Sequence, residues 1–126
     1  MVHKSAKDSV LLIGAGITLH EAMKAAVILE KSGVHARVLD PFTIKPLDQA
    51  AVVQNALECG GRVVTVEDHY PEGGLGEAVL TALADQATRV KVLAVREVPR
   101  SGPPNDLVAK YGIDANSIVA AVKQMA

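Results

Sequence analysis

The chain has 126 residues and a formal net charge of −1, so its length suits one domain, 1–126, and it carries no broad basic field for nucleic acid. Hydrophobic residues make up 49% and aromatic residues 2%, which excludes wholesale disorder and a base-stacking surface. No stretch is apolar for the roughly 18 residues that a membrane helix needs.

The core has to be built from Val, Leu, Ile and Ala, as in a parallel sheet covered by helices on both faces. The first residues, Met1-Val2-His3-Lys4, lack the apolar stretch of a signal peptide, and a lone Cys59 has no partner for an internal disulfide. The expected location is therefore a reducing cytoplasm.

Four short runs rich in Val and Ile read as buried strands: Ser9–Ile13, His35–Leu39, Arg62–Glu67 and Val90–Val95. Val2–Lys4 is a candidate extra edge strand. Helical patterns separate the main runs, and this alternation predicts parallel strands with right-handed crossovers. The first helix is expected to start with Thr18 as N-cap and Glu21 three residues on, a capping box, and to stop at Gly33. Its apolar positions are spread broadly, which predicts a helix largely covered by neighbours. A second helix is expected from an Asp48 N-cap to Gly60-Gly61. A third should run from Leu75 to Ala84, with Leu75, Val79 and Leu83 on one face. The proline-rich stretch Val98–Pro104 breaks the strand pattern and predicts an ordered crossing loop. A short helix, Asp106–Tyr111, would stop at Gly112. Asp114 should cap a last helix whose Ile118, Val122 and Met125 share a face.

Three segments are candidates for chemistry. Gly14-Ala15-Gly16-Ile17-Thr18-Leu19 follows the first strand and resembles the start of a dinucleotide fingerprint, with Asp40 where a ribose-binding acid would sit. Leu19 replaces the third glycine, and a tight strand-to-helix turn accounts for the same residues. The second segment, Glu67–Gly76, gathers Asp68, His69, Glu72, Gly74 and Gly76 after the third strand. A His among carboxylates suits acid–base work and the glycines suit an anion, but three acids make the local field negative. An interface loop accounts for it as well. The third segment, Val38–Asp48, reads as a rigid apolar turn. Arg100 in the proline-rich loop either binds an anion or ties the loop down. The histidines have no metal-ligand spacing with Cys59, so no zinc site is expected.

The runs VLLIGAGITLHEAM, VLDPFTIKPLD, TVEDHYPEGGLGEAV, VPRSG and YGID resemble the C-terminal domain of transketolases, especially the shorter animal-like type. Related domains end deoxyxylulose-phosphate synthases and the β subunits of 2-oxoacid dehydrogenases. The resemblance spans about Ser9 to Met125. It implies a three-layer α/β/α sandwich with a five-stranded mixed sheet, mostly parallel, in the order 1-3-2-4-5 with strand 1 antiparallel. The strands Ser9–Ile13 and Arg62–Glu67 then meet at a topological switch point, and the turn Gly14–Thr18 shares a crevice with Asp68–Gly76.

The resemblance assigns no catalytic, cofactor or metal residue to this sequence. The family's pyrophosphate-binding Gly-Asp-Gly motif is absent, and thiamine diphosphate and Mg2+ are expected on other domains of the parent enzyme. Gly14, Gly16, Thr18, Asp68, His69, Glu72, Gly74, Gly76 and Arg100 are left as crevice or interface candidates. The implied parent moves a two-carbon ketol unit between sugar phosphates in the pentose phosphate pathway. The implied partners are the remaining transketolase domains or subunit and a second copy in a homodimer, with no nucleic acid and no membrane. A transketolase is several times longer, so this chain is expected to be a fragment, a split-gene subunit or a stand-alone relative with an exposed apolar patch. A stand-alone module binding a nucleotide or small anion in the crevice is the alternative.

Overall fold

The computed structural model describes residues 4–40, 49–68, 74–94 and 113–125. Strands β1 (Val10–Gly14), β2 (Ala36–Leu39), β3 (Arg62–Val66) and β4 (Arg89–Leu93) alternate with helices α1 (Ile17–Lys31), α2 (Gln49–Glu58) and α3 (Leu75–Ala82), and α4 (Ala115–Gln124) closes the order. Each predicted strand is present, shifted by a residue or two at its ends. The short helix expected at Asp106–Tyr111, the Val98–Pro104 loop, the Asp48 cap and the Val38–Asp48 segment beyond Asp40 lie outside the described residues.

All four strands are parallel, in the order β2-β1-β3-β4. The described sheet thus has four strands rather than five and no antiparallel member. The strand expected first falls on Val2–Lys4, of which only Lys4 is described, outside any strand. Counted after that strand, the observed order corresponds to 3-2-4-5.

Side chains alternate across the sheet and fill two cores. Val10, Leu12, Val38, Val64 and Val66 point to one side, where α1 and α4 cover them with Ala22, Ala25, Leu29, Ile118 and Val122. Leu11, Ile13, Leu39 and Val63 point to the other, against Val52 and Ala56 of α2 and Val79 of α3. Leu75 and Leu83 join that second core, so the predicted face of α3 is the buried one. The two layers of helices make the three-layer sandwich.

Two expectations for α1 are corrected. Its N-cap is Gly16, with φ of 59°, not Thr18, and no side chain caps it in the capping-box manner. Nor is it largely covered by neighbours: His20, Lys24, Val27, Ile28, Glu30 and Lys31 are exposed. Ala22, Ala25, Ala26 and Leu29 line the buried side, with Ile17, Leu19 and Met23 packed against its rim. Its C-terminal end follows expectation, with Gly33 at φ of 83°. Gly60 and Gly61 end α2 in the same left-handed region.

Candidate functional site

The carboxyl ends of β1 and β3 are neighbours, with Gly14 opposite Val66. Their crossovers leave to opposite faces, α1 to one side and α3 to the other. The predicted switch point therefore exists, and it brings Gly14, Gly16 and Thr18 to the same end of the sheet as Asp68, Gly74 and Gly76. His69, Glu72 and Arg100 lie outside the described residues.

On the β1 side the turn is closed on itself. The Thr18 hydroxyl donates to the Ala15 carbonyl at 2.8 Å and accepts from the Ala15 N–H at 3.1 Å. The Thr18 N–H donates to the same carbonyl at 3.2 Å. Gly14 makes the close approach possible: a Cβ there would lie 2.8 Å from the Thr18 carbonyl oxygen. The close approach of helix and strand that a third glycine serves in a dinucleotide fingerprint is provided here by Gly14.

On the β3 side the decisive group is Glu67. It follows β3 directly, is buried, and turns its carboxylate onto the first turn of α3. Oε1 accepts from the Leu75 N–H at 2.9 Å and Oε2 from the Gly76 N–H at 2.7 Å. A helix start carries unsatisfied N–H groups and a partial positive charge, so a carboxylate is stabilised there. Gly74 is the boundary residue and offers no side chain for this task. Gly76 is needed for space: a Cβ would lie 2.6 Å from Val92 Cγ1 and 2.9 Å from Glu67 Oε2. The glycines grouped as a flexible anion loop thus include one that lets α3 dock on β4 and receive Glu67. Asp68, next in sequence, is exposed.

Glu21, expected to serve α1, serves another helix. It is buried, accepts from the Ala115 N–H of α4 at 3.1 Å and pairs with Lys24 at 2.9 Å. Asp114 completes that cap, accepting from the Ser117 N–H at 2.9 Å and the Ser117 hydroxyl at 2.6 Å. Neither contact matches a helix-cap spacing: the Glu21 partner is 94 residues away, and the Glu67 partners are eight and nine residues on. A buried acid at the end of a strand leading into a glycine run was the available hint for Glu67.

Cys59 is buried, and burial pushes its thiol up to about 11. It stays protonated near neutral pH and is no nucleophile. Among the described residues no group of three or more His, Cys, Asp or Glu is placed to hold a metal, and no helix is long and apolar enough to cross a membrane. Thiamine diphosphate with its metal does not fit the described residues at this switch point: the α3 amides already hold a carboxylate, and the α1 turn is closed on Ala15.

Residues 1–118 match the family model for the transketolase C-terminal domain. Transketolase-like protein 2 of Mus musculus is 52% identical over 124 residues, covering 98% of this chain and 20% of that protein. Transketolase of Homo sapiens is 52% identical over 124 residues, with 98% and 20% covered. The chain spans about a fifth of the length of these curated relatives. Among solved structures, a split-gene transketolase described as an inactive β4 tetramer superposes with a TM-score of 0.82 at 38% identity, covering 96% of this chain and 38% of that one. Transketolase from Campylobacter jejuni subsp. jejuni NCTC 11168 shares the fold, with a TM-score of 0.66 at 17% identity and 97% and 18% covered.

Proposed function

The chain belongs to the transketolase C-terminal domain family, and from this we propose that it is an assembly domain of a transketolase-type enzyme, without chemistry of its own. In that enzyme a two-carbon ketol unit moves between sugar phosphates of the pentose phosphate pathway in the cytoplasm. Thiamine diphosphate and Mg2+ are held by the domains or subunit with which this domain packs, and a second copy completes a homodimer.

The Glu67 contact carries the choice between assembly domain and anion-binding module. Its carboxylate occupies the two amides that a phosphate would need at the start of α3. A ligand anion there would have to displace a buried, doubly bonded internal one and sit beside Asp68. The crevice therefore favours a packing surface over a phosphate site. Two further findings support the assembly role: the match covers about a fifth of the relatives' length, and the split-gene relative is described as inactive as a β4 tetramer.

Reconstitution tests this. The chain is mixed with a protein carrying the remaining transketolase domains, and ketol transfer is assayed with thiamine diphosphate and Mg2+. The expected outcome is turnover in the mixture and none from either part alone. Turnover by this chain alone would sink the proposal. Titration with nucleotides and sugar phosphates, followed by amide chemical shifts, separates the alternative: saturable shifts at Gly14–Thr18, Asp68 and Gly74–Gly76 would favour the binding module.

A further inference from the structure

The end of the sheet opposite the crevice holds a buried polar cluster with no part in the site just described. Its centre is Arg37, the second residue of β2, whose side chain is 3% exposed. The guanidinium reaches two separate segments. Nε donates to Asp8 Oδ2 at 2.9 Å, and Nη2 donates to the Ser5 carbonyl at 3.3 Å. Nη1 donates to Glu58 Oε1 at 2.7 Å and to Asn55 Oδ1 at 2.9 Å, both on α2. Asp8 in turn folds residues 5–8 into a turn, accepting from the Ser5 N–H at 2.7 Å and the Ser5 hydroxyl at 2.8 Å.

The segment 4–8 contributes nothing to either apolar core. Lys4, Ala6 and Lys7 are exposed, Ser5 is half-buried, and Asp8 is buried only against its polar partners. The parallel ladder starts beyond it, where the Ser9 N–H donates to the His35 carbonyl at 2.8 Å. A segment held by polar contacts and by no buried apolar surface opens at low cost, separately from the core. Opening does not strand Arg37, because Glu58 and Asn55 stay in place on α2. Asp8 gains water in exchange for its internal bonds.

We propose that residues 4–8 form a strap latched by Arg37, which opens as a unit while the sheet and helices stay folded. The latch is electrostatic, and the charged and titratable groups around it are Asp8 and Lys4 on the strap, Glu58 on α2, which pairs with Arg37 at 2.7 Å and with Lys4 at 3.9 Å, and Cys59 behind Arg37. Burial by itself would raise the Asp8 carboxyl. The bonds from the Ser5 N–H, from Arg37 and from the Ser5 hydroxyl outweigh it and hold the carboxyl below its usual range. The Arg37 hydrogen bond does the same for Glu58. The sign follows: a lowered acid stabilises the closed strap above the ordinary carboxylate pKa, and that stabilisation is lost as pH falls through the lowered value. The strap is closed at neutral pH and opens first on acidification. Its consequence rests on the proposed function: in a transketolase-type assembly, the strap would set the angle at which chain ahead of β1 leaves this domain.

Amide hydrogen exchange on this chain reads the strap directly, independently of whether reconstitution gives activity. In Asp8→Ala, which removes the acceptor of the Ser5 N–H, the Ser5 hydroxyl and Arg37 Nε together, exchange at Ser5, Lys7 and the residue-8 amide should accelerate by roughly tenfold or more. Leu12 and Val64 in the sheet should stay within about threefold, since no core contact changes. In Asp8→Asn, which keeps the shape, the acid-induced opening of the strap should lose most of its pH dependence. The proposal fails if strap and sheet amides accelerate together, if strap exchange in Asp8→Ala is unchanged, or if Asp8→Asn and the parent chain open along the same pH profile.

Discussion

Thr65 lies in the middle of β3, paired with Ile13 on one side and Val92 on the other, and is fully buried. Among the described residues its hydroxyl is the buried side-chain oxygen that has no hydrogen-bond partner. The same β-branched shape without the oxygen is valine. An orphaned buried hydroxyl carries its desolvation penalty uncompensated, typically about 1–3 kcal/mol, while valine at this position adds apolar burial and no strain. Thr65→Val is expected to raise unfolding free energy by about 1 kcal/mol, read as a higher urea midpoint with unchanged slope. A lowered midpoint would mean that the hydroxyl has a bond the structure does not show. Glycines divide by a similarly local test. Gly33 and Gly60 are required by positive φ, Gly14 and Gly76 by lack of room, and Gly61 by both, since a Cβ there would lie 2.9 Å from the Ala87 carbonyl oxygen. The Gly76 requirement gives no sign in a sequence read alone, because the clash is with Val92 on another strand.

Helix starts show where local reading succeeds and where it stops. The α4 cap was legible because donor and acceptor, Ser117 and Asp114, are three residues apart. The α1 start was misread for the opposite reason. Thr18 and Glu21 match the capping-box spacing, but Glu21 is claimed by the Ala115 N–H across the molecule and Thr18 turns back to Ala15. The strands were legible from apolar runs, and their partners and order from the family resemblance. The crevice residues were legible as a location but not in their roles, since Glu67 acts on amides eight and nine residues on. The Asp114 and Glu67 caps should therefore rank by burial. Asp114→Ala removes a half-exposed local cap and should cost about 1 kcal/mol. Glu67→Ala strips two buried amides of a charged acceptor and should cost more, about 2–3 kcal/mol. Glu67→Gln keeps one acceptor and should fall between them. Chemical denaturation of the three variants checks the ranking. Equal losses for Asp114→Ala and Glu67→Ala would show that α3 is held by packing on β4 rather than by its cap.

At the scale of the whole molecule, one sheet is shared by two cores, so each helical layer depends on the same strands. What remains outside is uneven. Among the described residues, Leu57 on α2 and Leu80 on α3 are exposed one to a helix, while Val27 and Ile28 are exposed in succession on α1, in the other layer. Scattered apolar side chains are ordinary on a soluble surface, whereas adjacent ones on one helix can meet their own copies across a twofold axis. The proposed homodimer is thus expected to use α1. Sedimentation velocity over a range of concentrations should show reversible self-association of this chain. Val27→Glu combined with Ile28→Glu should abolish it, and because both side chains face outward the stability should change by no more than about 0.5 kcal/mol. Leu80→Glu, on the opposite layer, should leave it intact. A chain that stays monomeric at high concentration, or an association lost through Leu80→Glu instead, would remove α1 as the contact and move the interface to the α2–α3 layer or to the crevice.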